Sequence, residues 1–247
     1  MENKEIIIGR NPVSEYLKNI PKQSGALLFV AESAHGKIID SIKDRARDKG
    51  VQVQLKDKKF FNRLGSSSQH QGVALEVKQG HTKQEKKRPE DLIKETAEKQ
   101  GLLILLDHLT DPHNVGAIIR SAEALGCTGV IMPSANAIDI TPTVVKASAG
   151  ATAHIPVVKI ANVARFLDLA KDQGLWIIGT TDHGSHALGE LKDVKPAVLV
   201  IGSEGSGMKR LTEEKCDYLA SIPLPGEVSS LNASVAAGIA IYVLLNP

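Results

Sequence analysis

With 247 residues, 42% of them apolar and 23% charged, the chain has the makings of a globular protein of one large or two modest domains. No run reaches the ~18 apolar residues of a membrane span, and Met1-Glu2-Asn3-Lys4 leads into no signal-peptide core, so a cytoplasmic location is expected. The formal charge of +2 conceals an asymmetry. Residues 1–90 carry 18 Lys/Arg against 11 Asp/Glu, and residues 91–247 carry 12 against 17. A basic front end on a mildly acidic remainder hints at a polyanion partner, against the plainer reading of a solvated basic face. Cys127 and Cys216 lack metal spacing and read as reduced thiols.

Glu5 to Gly9 reads as a strand. Asn11 is the expected N-cap of the next helix, with Pro12 at its first position and Val13, Tyr16, Leu17 and Ile20 along one face. Ala26 to Ala31 is a second strand, and Ile38, Ile39, Ile42 and Ala46 mark a helix that Gly50 can end. Val51 to Leu55 alternates at period two. Asp57 can cap a short helix reaching Leu64, and Gly72 to Val77 is a fourth strand. Residues 1–78 thus make a small αβ unit with no catalytic constellation, which reads as a binding module. Residues 79–90 (QGHTKQEKKRPE) hold no apolar side chain and four Lys/Arg, the composition of an exposed basic linker.

Residues 91–247 alternate differently. Apolar strands at Leu102–Leu106, Val130–Met132, Ile155–Val158, Trp176–Gly179 and Ala197–Ile201 are separated by helices at Val115–Leu125, Val144–Ala149 and Arg165–Ala170. Continuous apolar strands in alternation with helices imply an α/β fold whose parallel sheet is covered on both faces. Ligands then bind beyond the carboxyl ends of the strands, here Asp107, Pro133, Thr180, Gly202 and Leu224.

The stretch from Ala197 to Leu245 concentrates the chemistry. One apolar run empties into Gly202-Ser203-Glu204-Gly205-Ser206-Gly207. A second, Leu219 to Leu224, empties into Pro225 to Asn232, and an Ala/Gly/Ile-rich helix closes the chain. Two adjacent strand ends with such loops point to a pocket of backbone amides and small hydroxyls. The Gly-rich turn has neither the Lys-Ser/Thr ending of a P-loop nor GxGxxG spacing, which disfavours a dinucleotide oxidoreductase. Asp107, His108, Asp111 and His113 crowd together, but no HExxH helix or second ligand group supports a metal, and none is expected. No serine stands in a G-x-S-x-G elbow. Arg120, beside Ile118, Ile119, Ala122 and Leu125, reads either as a buried structural ion or as a charged fork aimed at a phosphate.

Asn114 with Arg120 (N-x5-R), Ser203-Glu204-Gly205 within G-x-E-G, and Ser230-Leu231-Asn232-Ala233-Ser234 (S-L-N-x-S) occur in the order of the three motifs of the SpoU (TrmH-like) RNA ribose 2′-O-methyltransferases, and the chain resembles that family. The resemblance is strong over the last ~150 residues and looser over the front module, where the His70-Gln71-Gly72 turn also matches. It implies a trefoil knot in the C-terminal domain, S-adenosylmethionine as cofactor, a homodimer, and a front domain that binds RNA. The implied reaction is methylation of a guanosine ribose in 23S rRNA, with a tRNA substrate or a non-catalytic RNA-assembly role as alternatives. Catalytic or substrate-positioning roles then fall to Arg120, Asn114, Glu204, Ser230 and Asn232. Gly202, Ile222 and Leu231 would touch the cofactor, with Thr180 and Gly205 nearby. The resemblance implies Arg120 as the base for the 2′-OH; since a guanidinium beside a phosphate holds its proton more tightly, the other role open to it is to bind the phosphate, orient the 2′-OH and stabilise the alkoxide.

Overall fold

A computed structural model describes residues 4–20, 22, 24–64, 70–78, 87–135, 137–205, 207–227 and 230–246. Most of the predicted linker (79–86), Ser206 of the Gly-rich turn, and Val228 and Ser229 of the last loop lie outside the described residues. The chain divides into two compact units, one of residues 1–85 with Ile140–His154, the other of Lys86–Asp139 with Ile155–Pro247.

The first unit is built from β1 (Lys4–Ile8), α1 (Arg10–Asn19), β2 (Leu27–Ala31), α2 (Lys37–Asp48), β3 (Gln52–Lys56), α3 (Lys58–Asn62) and β4 (Val73–Lys78). Its sheet runs β1-β4-β2-β3, antiparallel except for the β2–β3 pair. The helical face read from sequence buries Val13, Leu17 and Ile20 with Ile39, Ile42 and Ala46 of α2. Gly50 takes φ 68° after α2, and Asp57 accepts from Phe60 N at 2.9 Å to cap α3. Asn11 does not cap α1. Gly9, at φ 100°, turns the chain out of β1, and the Arg10 N–H already donates to Gln71 Oε1 at 3.2 Å, which starts the helix earlier.

The second unit begins at α4 (Pro89–Lys99), which the sequence reading missed. Its polar first turn hides the Leu92, Ile93 and Thr96 face, and Asp91 accepts from Arg88 N at 3.0 Å across the helix start. Then come β5 (Leu102–Asp107), α5 (Pro112–Ala124) and β6 (Gly129–Pro133). Between β6 and the next strand the chain contributes α6 (Pro142–Ala147) to the first unit. Val145 there is 5% exposed and joins the core of Ile7, Val13 and Leu28, and His154 Nε2 meets Glu15 Oε2 at 2.8 Å. No periodicity argument could assign that helix to the front unit, because its partners are distant in sequence.

The rest of the second unit is β7 (Val157–Ile160), α7 (Val163–Asp172), β8 (Trp176–Thr180), β9 (His186–Ala187), β10 (Ala197–Gly202), α8 (Arg210–Glu213), β11 (Tyr218–Ser221) and α9 (Ala233–Leu245). Seven strands in the order β7-β6-β5-β10-β8-β11-β9 form an all-parallel sheet. Every residue of β5 and β6 is buried, which explains their unbroken apolar sequence. Each fully buried Leu or Ile there contributes about 1.5–3 kcal/mol. Two expectations need correction. β10 and β11 are not adjacent, since β8 lies between them and brings Thr180 to the middle of the site. And β11 ends at Ser221, so Leu224 belongs to the following loop and not to a strand end.

Candidate active site

The carboxyl ends of β5 and β10 lie in register, with Asp107 opposite Gly202. From this edge the chain leaves β10 into a tight turn that Ser203 and Gly207 close with reciprocal backbone hydrogen bonds of 2.9 Å. The turn must pass very close to Gly202. A Cβ there would sit 2.4 Å from Gly207 C and 2.5 Å from Met208 N, so only glycine fits. Asp107, wholly buried, anchors the far side of the turn by accepting from Lys209 N at 2.7 Å.

This turn delivers Glu204 to a hydrogen-bonded cluster. Its Oε1 accepts from Asn232 Nδ2 at 2.6 Å, Asn114 Nδ2 at 2.8 Å and Ala233 N at 3.3 Å. Asn232 Nδ2 also donates to Asn114 Oδ1 at 3.0 Å. The other end of the Asn232 amide caps α9, its Oδ1 accepting from Ser234 N at 3.0 Å, Ser234 Oγ at 2.6 Å and Val235 N at 3.3 Å. Both amide ends are therefore committed and its orientation is fixed. Three residues from three sequence motifs thus form one charge-assisted network, and it locks α5, the Gly-rich turn and the start of α9 together.

Two cavities meet at this network. The larger, about 980 Å³, lies over the ends of β8, β10 and β11 and is lined by Thr180, Gly202, Glu204, Gly205, Ile222, Ser230, Leu231 and Asn232 among others. The smaller, about 460 Å³, is lined by His108, Asp111, Asn114, Ser203, Glu204 and Lys209 with Leu109 and Thr110. All five residues expected to touch a cofactor line the larger cavity, as do Glu204, Ser230 and Asn232. Thr180 Oγ1 is engaged with Val200 O at 3.1 Å and so shapes the wall more than it offers a donor. Asn114 faces the smaller cavity.

Arg120 is placed elsewhere. It lines neither cavity, is exposed on α5, and makes no hydrogen bond or ion pair among the described residues. The buried-ion reading is thereby ruled out. Its neighbour Ser121 lies where α5 meets α9, 3.7 Å from a Cβ added at Gly238, so Arg120 flanks the α5–α9 seam.

Sequence reasoning missed several cavity residues. Met208 packs its side chain against Gly179, whose absent Cβ would lie 2.7 Å from the Met208 methyl. Asp182, His183 and Glu213 form the polar rim, with His183 Nδ1 2.9 Å from Asp182 Oδ1 and Nε2 3.1 Å from Glu213 Oε1. Hydrogen bonds donated by its ring to Asp182 and then Glu213 push the His183 pKa above the usual imidazole value. No spacing signal marks this trio, because Glu213 comes from a distant helix. The four residues weighed as a metal cluster separate into other tasks. Asp107 holds the turn and His108, while Asp111 caps α5 by accepting from His113 N at 3.0 Å. Burial pushes the thiols of Cys127 and Cys216 up to about 12, with Asp217 and Glu213 adding to the effect at Cys216, which keeps both protonated and unreactive at neutral pH.

Comparison with known proteins shows the family to which the chain belongs. Residues 101–242 match the model of the SpoU rRNA methylase family, and residues 6–83 match that of the RNA 2′-O ribose methyltransferase substrate-binding domain. The chain is 39% identical to YacO of Bacillus subtilis (strain 168), assigned to the TrmH family of tRNA/rRNA methyltransferases, over 98% of this chain and 95% of that protein. It is 36% identical to the 23S rRNA (guanosine-2′-O-)-methyltransferase RlmB of Escherichia coli (strain K12), over 96% of each. Its fold superposes with TM-score 0.77 on the SpoU methyltransferase AviRb of Streptomyces viridochromogenes, solved with AdoMet, at 24% identity over 98% of this chain and 89% of that one. The chain therefore belongs to the SpoU rRNA methylase family, the RNA 2′-O-ribose methyltransferases.

Proposed function

We propose that the protein methylates the 2′-oxygen of a guanosine ribose in 23S rRNA, with S-adenosylmethionine in the larger cavity. The observation that carries the reading is the Asn114–Glu204–Asn232 network at the junction of two cavities. It offers one wall to a cofactor and the other to an acceptor nucleotide. The larger cavity suits the cofactor, combining close backbone approach at Gly202 with the apolar side chains of Ile222, Leu224 and Leu231. When bound, S-adenosylmethionine supplies a methyl group already activated on a sulfonium. The protein's task is then mainly to place a ribose hydroxyl in line with it. Asn114 and Asn232, immobilised through Glu204, hold the junction rigid, and Ser230 offers a hydroxyl at the cavity edge. Arg120, which lines neither cavity of its own chain, is assigned to a substrate phosphate and the developing alkoxide across the homodimer proposed below. The guanosine and 23S assignments draw support from the relative named above. The knot implied by the family resemblance and the assignment of the front unit to RNA capture belong to the same proposal. Mapping ribose methylation in total RNA from cells with and without the gene tests the reading, and an unchanged map of 23S rRNA would refute it.

RNA capture by the first unit has a candidate surface. Lys58, Lys59 and Arg63 are exposed around α3, and the Lys56 ammonium lies 5.6 Å from the ring centres of both Phe29 and Phe60. A cationic, aromatic-backed face of this kind suits a nucleic-acid backbone. Replacing Lys58, Lys59 and Arg63 together by Glu is expected to weaken RNA binding at least tenfold and to lower the salt slope of log K by about 2, at ~0.7 per phosphate contact. Filter binding across a salt series measures both, and an unchanged slope would remove this face from RNA capture. Deleting the unit is the poorer test, because truncation at Glu90 strips Val145 of its core.

A homodimer is the second element of the proposal. α9 buries Ala233, Ala237, Ala240, Ile241 and Leu244 on one side but leaves Val235 49%, Ile239 37% and Tyr242 58% exposed on another. With Leu231 at 36% they make an apolar line that a second copy would cover. Sedimentation should give a dimer at micromolar concentration, and Ile239→Glu with Tyr242→Glu should shift it to monomer. A wild-type monomer at that concentration refutes the dimer.

A further inference from the structure

The smaller cavity holds chemistry that the methyl-transfer reading leaves unused. Asp107 is completely buried and both its carboxylate oxygens are engaged, Oδ2 by Lys209 N at 2.7 Å and Oδ1 by His108 Nδ1 at 2.5 Å. In the neutral ring, a carboxylate acceptor at Nδ1 places the proton there and leaves Nε2 as a lone-pair acceptor. Nε2 has no protein partner among the described residues, and the His108 side chain is 22% exposed at the cavity wall. The backbone is bent to allow this. His108 takes φ 60°, a left-handed conformation rare outside glycine, with its N–H donating to Leu106 O at 3.1 Å. Lys209 lines the same cavity, its backbone fixed by Asp107, and adds an ammonium donor. The cavity therefore offers the His108 imidazole and the Lys209 side chain beside the polar groups of Thr110, Asp111, Asn114, Ser203 and Glu204. It shares Ser203 and Glu204 with the larger cavity, so a nucleotide whose ribose sits at the junction has this space for its base.

We propose that the smaller cavity receives the base of the target nucleotide, and that His108 reads it by accepting a hydrogen bond from a ring N–H. Guanine (N1–H) and uracil (N3–H) carry such a donor beside a carbonyl that Lys209 can contact. Adenine and cytosine carry none. The inference rests on the RNA methyltransferase reading but not on the choice of guanosine within it.

The test first maps the nucleotide that the wild-type protein modifies in total RNA from cells lacking the gene. Transcripts of that region are then made with the mapped base replaced by one without a ring N–H, guanine by adenine or uracil by cytosine. Methyl transfer from radiolabelled S-adenosylmethionine is compared for wild type, His108→Ala and His108→Gln. Wild type should lose at least about tenfold in kcat/KM on the replaced transcript. His108→Ala should fall about as far on the natural transcript and discriminate little between the two. His108→Gln, whose amide oxygen can still accept, should recover part of both. S-adenosylmethionine affinity should stay close to wild type in both variants, while His108→Ala melts lower because buried Asp107 Oδ1 loses its partner. A mapped adenosine or cytidine overturns the proposal, as does His108→Ala that keeps full discrimination. Loss of cofactor affinity in His108→Ala overturns it in favour of a structural role. A mapped uridine refutes the guanosine assignment while leaving this inference standing.

Discussion

Arg120→Ala is expected to lose about 10²–10³-fold in methyl transfer, roughly 3–4 kcal/mol of transition-state stabilisation, with its fold and cofactor site untouched. The separation follows from placement. Arg120 is exposed and lines neither cavity, so its removal leaves no buried partner unpaired and should move stability by no more than ~0.5 kcal/mol. S-adenosylmethionine affinity should stay within a few-fold. Arg120→Lys should also be badly impaired, because a single ammonium cannot reproduce a planar fork across a phosphate. Activity, cofactor titration and thermal melting on the same preparations decide the matter. Full activity in Arg120→Ala would remove it from the mechanism. Because Arg120 flanks the seam of α5 with α9, mixing this variant with one that cannot bind cofactor adds a further readout. Recovered activity in the mixture would mean that Arg120 serves the site of a second subunit.

The placement of Arg120 shows what one-dimensional adjacency conceals. Its neighbours Ile118, Ile119 and Ala122 are buried, yet two residues along a helix amount to a rotation of about 200°, which turns Arg120 to solvent. Elsewhere period and composition sufficed. The all-buried strands β5 and β6, and β10 up to Ile201, were legible as apolar runs, and the Asp57 cap and the Gly50 stop as local chemistry. The family resemblance named Asn114, Glu204 and Asn232, but only the fold shows that one carboxylate oxygen gathers both amides. Strand order was illegible, since nothing in the sequence inserts β8 between β10 and β11. Nor could the reading see Val145 in the core of the first unit, or Asp107 as the anchor of Lys209. Those depend on contacts between residues far apart in the chain. Local physics fixes elements, and long-range closure assembles the site.

Gly202→Ala should be the more damaging substitution to the cofactor cavity, raising the Kd for S-adenosylmethionine more than tenfold and costing about 1–3 kcal/mol of stability. The added methyl meets backbone rather than a side chain that can swing aside, at 2.4 Å from Gly207 C, 2.5 Å from Met208 N and 2.8 Å from Gly207 O. Relief is blocked on both sides. Gly207 is held to Ser203 by two hydrogen bonds, Lys209 N is held by buried Asp107, and Gly202 is paired with Asp107 across the sheet. The turn must open, and Glu204 moves with it, loosening Asn114, Asn232 and the cap of α9 together. Gly205→Asn is the control from the same turn. Gly205 has open space where a Cβ would go, and asparagine tolerates its φ of 80° better than other side chains do. Its effect on melting and on cofactor affinity should be several-fold smaller. Calorimetric titration of both variants makes the comparison. Wild-type affinity and melting in Gly202→Ala would show that the close backbone approach at the end of β10 does not shape the cofactor site.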